Sequence, residues 1–362
     1  MGFMLNGGAY LQSLVDRAIQ NREKEIVIEG NYEIEKAVVL PSNFTVILRD
    51  CHLRQKDGAY CNIFTNRATV EGEHTIENRD YNIKIIGEGN AVLDGGVFNG
   101  LTERNCKEKN IPMRVNHLIF FTNLENFSIQ GVRLINQRYW AINLTFCAFG
   151  SIRNVDFCAD DGILYVDGER DYKVGYGDLC SKHLSLLRNA DGIDIRVGCH
   201  DILIENITGF TEDDLVAITG LYKNAPNPFA VEGLSSDIHD ITVRNIKGCS
   251  WCAIVRLLNQ GGIKLYNVLI DTVEDTSKNS EHMNRGLFGV RVGDKHLYGA
   301  SYPEIGQTNN IVIKNVRSRA ETVINIESNI SDCIVENVEG FDGFTTKILN
   351  NATLHGNSKI EE

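Results

Sequence analysis

A short motif that recurs along the chain constrains the fold more than any other feature of the sequence. In this motif an apolar residue is followed by any residue, then by Asn or Gly, and then by Val or Ile. The seven copies are Ile129–Val132, Ile152–Val155, Ile204–Ile207, Val243–Ile246, Leu265–Val268, Ile313–Val316 and Val335–Val338. Apolar and polar residues alternate across each copy, which is typical of a β-strand with one buried face. The motif therefore predicts many short strands and few helices.

The spacing of the copies indicates a solenoid. Successive copies start 23, 52, 39, 22, 48 and 22 residues apart. Spacings of 22 to 24 residues indicate one coil, those of 48 to 52 indicate two, and 39 indicates one coil with a long insertion. A unit of this length with two or three short strands and a recurrent Asn predicts an all-β parallel β-helix with a ladder of hydrogen-bonded Asn side chains. The Leu pattern of leucine-rich repeats and the longer blade repeat of propellers are both missing.

The chain of 362 residues reads as one elongated domain, because no Pro-rich or Ser-rich linker interrupts it. We expect a single domain over 1–362, with coils over about 30–340 and a polar tail over about 345–362. Residues 9–20 predict a helix that caps the open end of the solenoid. Its apolar face would carry Leu11, Leu14, Val15 and Ile19.

Three stretches depart from the repeat, at about 166–180, 221–236 and 272–306. Long insertions in a solenoid tend to emerge on one face, because the coils cannot vary without breaking the stack. We therefore expect these stretches to wall a binding groove.

The formal net charge of −12 argues against nucleic acid as a partner. The first twenty residues lack the pattern of a secretory signal, and no apolar run is long enough to span a membrane. With that pattern missing, the ten cysteines predict reduced core thiols and a cytoplasmic protein. Cys249 and Cys252 form a CxxC pair, but no second pair accompanies it, so no zinc or other metal site is expected.

Aspartates stand where the repeat should carry neutral residues, in Asn189–Ile195 and in Thr211–Ile218. Asp191 and Asp213 are 22 residues apart, so one coil would stack them on the same face. Stacked carboxylates raise one another's pKa, which is useful where a proton must be held near neutral pH. Each aspartate could instead end a turn. Two such segments in register, each followed by an apolar run, favour a catalytic role.

These segments resemble motifs of the polygalacturonase-like glycoside hydrolases of family 28. Asn189-Ala-Asp191-Gly is similar to the Asn-Thr-Asp-Gly motif, and Glu212-Asp213-Asp214 with the following Leu-Val-Ala-Ile is similar to the Asp-Asp motif. Further similarity is found at Leu93–Gly96, around Trp140 and at Ala253–Arg256, which matches the start of the Arg-Ile-Lys motif. The resemblance implies a single-stranded right-handed parallel β-helix of the pectate-lyase type.

It also implies an inverting hydrolase that needs no cofactor. Asp213 would protonate the leaving oxygen, and Asp191 and Asp214 would activate water on the opposite side of the sugar. The chemistry of the reaction agrees, because glycoside cleavage uses one protonated and one ionised carboxyl group. Four further residues are expected to bind the substrate: Asn189, Arg256, Asp161 and Tyr222. Arg256 could instead be the counter-ion of the acids, and Asp161 could belong to a turn.

Two family motifs are not matched. The only histidine between Asp214 and Arg256 is His239, which lacks flanking glycines and is expected to be a solvated turn residue. Leu258 stands where the family has the Lys of its Arg-Ile-Lys motif. Both missing residues would hold an anionic sugar, so a neutral or singly charged sugar at the cleaved bond is favoured over polygalacturonate.

The sequence therefore predicts a glycoside hydrolase acting on a pectin-related or other plant or microbial oligosaccharide. Insertions that close the groove would favour exo-cleavage of short chains. Two alternatives stay open. The first is a polysaccharide lyase or epimerase on the same fold, in which Asp191, Asp213 and Asp214 hold calcium. The second is a non-catalytic, glycan-binding or tailspike-like structural β-helix.

Overall fold

The structure is a computed structural model that describes residues 2–72, 74–96, 116–137, 139–159, 190–221, 229–293, 303–343 and 345–361. Its helices are α1 (Gly7–Gln20) and α2 (Arg67–Glu71), and a short 3-10 turn spans Ser277–Asn279. Its strands are β1 (Glu25–Ile34), β2 (Val38–Leu40), β3 (Phe44–Gln55), β4 (Phe64–Asn66), β5 (Asp80–Glu88), β6 (Val92–Asp94), β7 (Ile119–Gln130), β8 (Arg133–Ile135), β9 (Ile142–Cys158), β10 (Ile193–Ile195), β11 (His200–Thr211), β12 (Val216–Gly220), β13 (Ile238–Ser250), β14 (Ala253–Asn259), β15 (Leu265–Asp275), β16 (Phe288–Val292), β17 (Thr308–Ser318), β18 (Thr322–Ile326), β19 (Ile330–Gly340), β20 (Thr346–Asn350), β21 (Leu354–His355) and β22 (Lys359–Ile360).

These strands form a right-handed parallel β-helix, as predicted. One face of the solenoid, called here the site sheet, consists of β2, β4, the first residues of β7 and β9, and then β10, β12, β14, β16, β18 and β20. Each strand pairs in parallel with the equivalent strand of the next coil. The long strands from β3 to β19 supply the rest of the wall.

The interior of the solenoid consists of rows of aliphatic side chains that stack from coil to coil. One row is fully buried in six successive coils and consists of Ile152, Ile204, Val243, Ile270, Ile313 and Val335. The next residue along each strand points to the opposite side of the sheet, because side chains in a strand alternate. Local alternation in the sequence thus becomes a continuous core.

The predicted Asn ladder is present. Asn206 donates its side-chain amide to Asn154 Oδ1 at 2.9 Å, Asn245 donates to Asn206 at 2.5 Å, and Asn337 donates to Asn315 at 2.5 Å. All five residues have φ between 53° and 58°. Asn tolerates this left-handed backbone better than most residues, so it suits a corner where the chain must turn.

One copy of the motif is out of register with the others. Val243 pairs with Ile270, so the residue equivalent to Asn245 is Thr272, and Asn267 pairs instead with Asp240. The prediction that Leu265–Val268 is equivalent to the other copies is therefore wrong. The local pattern is the same at two corners of the coil, and only the pairing between coils distinguishes them.

The interpretation of the long spacings as two coils is also wrong. Ile204 pairs directly with Ile152, 52 residues earlier, so this spacing is one coil with a long insertion. The stretch 272–306 is not a single insertion, since it contains the end of β15 and all of β16. The 39-residue spacing is one coil with an insertion, as predicted.

The helix α1 covers the amino-terminal end of the solenoid. Leu11, Val15 and Ala18 of α1 are buried, and Leu14 packs against the core. Ile19, expected on this face, is instead 48% exposed, because Ala18 completes the helical stripe. The expected polar tail continues the solenoid, with β20 paired to β18 and with β21 and β22 paired to β19.

The described part of the chain contains eight cysteines, all of them free thiols, and seven are buried. None of its helices has the length and apolar character needed to cross a membrane.

Candidate active site

The site lies on the outer side of the site sheet, in its middle coils. Asp194 of β10 pairs with Ala217 of β12, and Ala217 pairs with Arg256 of β14. These side chains point outward because Ile193 and Ile195, on either side of Asp194, are buried in the core. Asp194 and Arg256 therefore lie on one row, separated by the small side chain of Ala217.

The loops that enter these strands bring the other aspartates next to this row. Gly192 donates its N–H to the carbonyl of Asp214 at 2.9 Å, which places Asp191 opposite Asp214 rather than opposite Asp213. A Cβ at position 192 would lie 2.4 Å from the carbonyl oxygen of Leu215. Glycine is therefore needed here for the coils to approach.

Asp213 and Asp214 are held by different contacts. Asp214 accepts a hydrogen bond from the N–H of Ala253 at 3.1 Å and forms an ion pair with Arg256 Nη1 at 3.3 Å. Asp213 Oδ1 accepts the N–H of Asp214 at 3.0 Å. The carbonyl of Asp213 accepts the hydroxyls of Thr211 and Ser250 at 2.7 and 2.6 Å, so both its backbone and its carboxylate are fixed.

The acids share a buried, strongly interacting environment. Asp191, Asp194, Asp213 and Asp214 are each at most 4% exposed. Burial raises the pKa of Asp191 well above its ordinary value, and the charges of the other three aspartates add to this, while Arg256 opposes it. Burial also raises the pKa of Asp194, and Asp214 and Asp213 add to it, while Arg196 and the contact with Asp191 oppose it.

Asp194 was not among the residues selected from the sequence. Neither of its carboxylate oxygens has a hydrogen-bond partner of ordinary geometry, and the nearest cation is Arg196 Nη1 at 3.5 Å. The alternation Ile193-Asp194-Ile195 was the available signal, because an acid between two core residues of a strand must point to the outer face.

An aromatic group borders the acids on the side of the preceding coils. The Arg196 guanidinium lies 4.3 Å from the centroid of the Trp140 ring, and Tyr139 stacks on the same ring at 4.5 Å. His117 Nδ1 donates to the carbonyl of Trp140 at 2.9 Å, while Asn143 Nδ2 lies 3.3 Å from His117 Nε2. Burial lowers the pKa of His117 to about 3, so its ring is neutral.

A second arginine follows Arg256 on the next coil. Arg291 of β16 pairs with Arg256 and is itself held by Glu327, at 2.9 Å from Nη2 and 3.2 Å from Nε. Arg291 lies within the stretch that the sequence alone indicated as an insertion, and it was therefore missed.

The remaining sequence candidates are separated from the acids or lie outside the described residues. Asn189, Asp161 and Tyr222 fall in the parts of the chain that the structure does not describe. His239 lies in β13 rather than in a turn, and its ring stacks between His200 and Tyr266 at 4.8 and 4.9 Å. Among the described residues, His239 contacts Asp240, His200 and Tyr266 and none of the four buried aspartates.

Leu258 pairs with Thr219 and is 2% exposed. The position that carries Lys in family 28 is therefore apolar and buried in this chain.

Leu93–Gly96, which also supported the resemblance, has a structural role. Asp94 accepts hydrogen bonds from Gly96 and Asn136 and contacts His52.

A possible cation cluster in the described residues consists of Asp213, Asp214 and Cys252. Calcium takes oxygen ligands rather than thiols. Burial raises the pKa of Cys252 well above its ordinary value, so the group is a protonated thiol. This ligand set does not suit calcium.

A protein-family model supports the resemblance found in the sequence. The model of "Glycosyl hydrolases family 28" matches residues 64–233, a segment that includes Asp191, Asp213 and Asp214 and ends before Arg256. The resemblance to family 28 is confirmed. The family 28 match supports a glycosidase and a carbohydrate substrate. Among curated proteins, none matches the sequence significantly.

Similar solved structures are found at low sequence identity. The hyperthermoactive exopolygalacturonase of Thermotoga maritima is 14% identical with a TM-score of 0.50, and the alignment covers 97% of this chain and 88% of that chain. Endopolygalacturonase I of Stereum purpureum is 14% identical with a TM-score of 0.45, covering 95% and 98%. The A-module of the mannuronan C-5 epimerase AlgE4 of Azotobacter vinelandii is 11% identical with a TM-score of 0.45, covering 100% and 97%.

Proposed function

We propose that this chain hydrolyses a glycosidic bond in a pectin-related or other plant or microbial oligosaccharide, by inversion and without a cofactor. The observation that carries the proposal is the convergence of four buried aspartates with Arg256 on the outer face of the site sheet. Burying so many acids together is costly unless some of them hold protons. A mixture of protonated and ionised carboxyl groups is what glycoside cleavage requires.

In this proposal Asp213 is the general acid that protonates the leaving oxygen. Its backbone and one carboxylate oxygen are fixed by Thr211, Ser250 and the N–H of Asp214. Fixed geometry matters because a general acid must stay within hydrogen-bond reach of the atom it protonates.

Asp214 is the better supported of the two residues assigned to water activation. Its ion pair with Arg256 and its hydrogen bond from Ala253 are contacts of an ionised carboxylate. Asp191 keeps its proton to a higher pH than an ordinary aspartate. We therefore assign the role of general base to Asp214. Asp191 would hold a proton beside it.

The burial of the row supports exo-cleavage of short chains. Asp194, Arg256 and Arg291 are each at most 6% exposed, and a chain end reaches such a recessed row more easily than the middle of a polymer does. With Leu258 in place of Lys, a neutral or singly charged sugar fits the cleaved bond better than a run of uronates. The free thiols of the described chain support a cytoplasmic location, where such oligosaccharides would be the substrates.

The test is product analysis on uronate-containing and neutral pectic oligosaccharides, with and without a chelator. We expect chelator-resistant release of reducing ends, and an initial product of inverted anomeric configuration by NMR. Asp213→Asn and Asp214→Asn should each lower kcat by about 10²- to 10⁴-fold. Asp201→Asn, at an exposed aspartate on another face of the solenoid, is the matched control and should keep full activity.

Other outcomes would contradict the proposal. Unsaturated uronates that require calcium would identify a lyase, and a changed sugar without bond cleavage would identify an epimerase. Glycan binding that survives in Asp213→Asn, with no product from the wild-type chain, would favour a non-catalytic β-helix.

A further inference from the structure

A cavity of about 580 Å³ lies at the amino-terminal end of the site sheet. Its lining includes Tyr60, Thr65, His74, Phe120 and Phe229. Charged side chains are absent from the described residues that line it, in a chain whose net charge is −12. The cavity therefore differs in chemistry from the acid cluster on the same sheet.

The cavity and the acid cluster lie on the same outward row. Phe120 pairs with Asn143, and Asn143 pairs with Asp194. Neighbouring strands lie about 4.8 Å apart, so two coils put Phe120 about 10 Å from Asp194 along the row. A single oligosaccharide can extend over both places.

A continuous series of ring contacts joins the two places. Phe229 meets His74 at 5.1 Å and Phe120 at 5.1 Å, in both cases edge to face. Phe120 meets His117 at 5.0 Å, and His117 stacks near Trp140 at 5.7 Å. Trp140 in turn lies under Arg196, which contacts Asp194. His74, Trp140 and Phe229 are partly exposed and can stack against the faces of sugars. Phe120 and His117 are buried and connect them.

The cavity also offers a hydrogen-bonding group that the protein itself does not use. His74 Nδ1 is buried and has no hydrogen-bond partner among the described residues. Burial lowers the pKa of His74, so the ring adds no positive charge to attract a carboxylate. Apolar walls with a few neutral polar groups are typical of sites for uncharged ligands.

We propose that this cavity is a subsite for an uncharged, partly apolar glycosyl residue of the same oligosaccharide that is cleaved at the acid cluster. The inference rests on the proposed function, because it assigns the cavity to the substrate of that reaction. The substrate would then contain two kinds of sugar. The sugar at the cleaved bond can be charged, and the sugar two coils away is neutral.

Binding to the Asp213→Asn chain tests the inference without turnover. The two probes are an oligogalacturonide and its fully methyl-esterified counterpart of equal length, titrated by calorimetry. We expect the esterified probe to bind more tightly. Phe229→Ala should weaken its binding about three- to tenfold, as expected for one aromatic contact, and should affect the acidic probe less.

Matched variants separate the subsite from general effects on folding. Phe149→Ala removes an exposed phenylalanine on another face of the solenoid and should leave both affinities unchanged. Phe229→Leu fills the same space without a flat ring and should lose most of what Phe229→Ala loses.

Equal binding of the two probes, no binding of the esterified probe, or an affinity indifferent to Phe229→Ala would overturn the inference. Hydrolysis by the wild-type chain is a separate readout. Turnover that persists while Phe229→Ala has no effect would leave the proposed function standing and remove only the subsite. Probe binding that depends on Phe229, with no hydrolysis of any substrate, would leave the binding site standing and contradict the proposed hydrolysis.

Discussion

At the scale of single residues, the acids of the site differ from the acids of the surface in what surrounds them. Asp194 has no exposed surface, and its carboxylate lies among other acids with one arginine nearby. Asp201, in contrast, lies at the surface beside His200. The charge of a buried acid costs free energy that an exposed one does not.

Asp194→Asn should stabilise the protein at neutral pH. The folded-state pKa of Asp194 is raised above the ordinary value of 3.8, so the folded protein binds this proton more tightly than the unfolded chain does. The resulting stability is fully present below pH 3.8 and is lost as the pH rises through the folded-state pKa. Urea unfolding should therefore show a higher midpoint for the variant at pH 7 and no gain below pH 3.8.

Asp201→Asn serves as the control and should show no such pH-dependent gain. A loss of stability in Asp194→Asn at pH 7 would mean that the contact with Arg196 outweighs the cost of burial.

Arg256→Met should be strongly destabilising for a related reason. Arg256 and Asp214 are almost fully buried, with side-chain exposures of 6% and 3%. Removing one partner of a buried pair leaves the other charge uncompensated, at a cost of about 3 to 5 kcal/mol. Urea unfolding at pH 7 would measure this cost, and adding Asp214→Asn should recover most of it.

Arg49→Met is the surface comparison. The pair of Arg49 with Glu88 is exposed, at 44% and 43%, so its loss should cost about 0 to 1 kcal/mol. Similar costs for Arg256→Met and Arg49→Met would show that the site pair is solvated in solution.

At the scale of elements, charges of alternating sign run along the outer face of the long strands. The row consists of Arg153, Glu205, Arg244, Asp271, Lys314 and Glu336. Arg244 Nη2 lies 2.6 Å from Glu205, and Lys314 lies 3.5 Å from Asp271. Side chains directly opposite on neighbouring strands interact, so alternating signs support the stacking of the coils.

Arg244→Glu would place three acids in succession on this row. We expect a loss of about 1 kcal/mol in the free energy of unfolding, because like charges directly opposite each other repel. The loss should shrink in 1 M NaCl, where the screening length is about 3 Å. Arg244→Gln removes the attraction without adding repulsion and should cost less free energy. An equal loss for both variants that does not change with salt would show that these charges do not stabilise the stacked coils.

At the scale of the whole molecule, a solenoid must close its ends. Leu11 and Val15 of α1 are fully buried against the first coil, whereas Ile19 of the same helix is 48% exposed. Strand edges and apolar ends left uncovered are sites of association between chains. The helix therefore protects the molecule in addition to stabilising it.

Leu11→Asp should open this end of the solenoid and cause association or precipitation, visible by size-exclusion chromatography with light scattering. Ile19→Asp introduces the same charge on the solvent side of the same helix and should behave like the wild-type chain. Identical elution of the two variants would mean that the core does not depend on the cap.

The sequence determined the features that depend on neighbouring residues. Alternation of apolar and polar residues along each strand, the recurrent Asn with its left-handed backbone, and the cap helix are all local. They were enough to predict a parallel β-helix. The segments Asn189–Ile195 and Thr211–Ile218 were likewise visible because each motif is continuous in the chain.

The tertiary structure alone decided which residues of different coils lie side by side. Loops of different lengths separate the coils, so distance along the chain does not give the register. For this reason the pairing of Asn267 with Asp240 was missed, as was the position of Arg291 beside Arg256. Asp194 is the clearest case, since its pKa depends in part on Asp213 and Asp214 of the next coil, which only the stacking of the coils brings within reach.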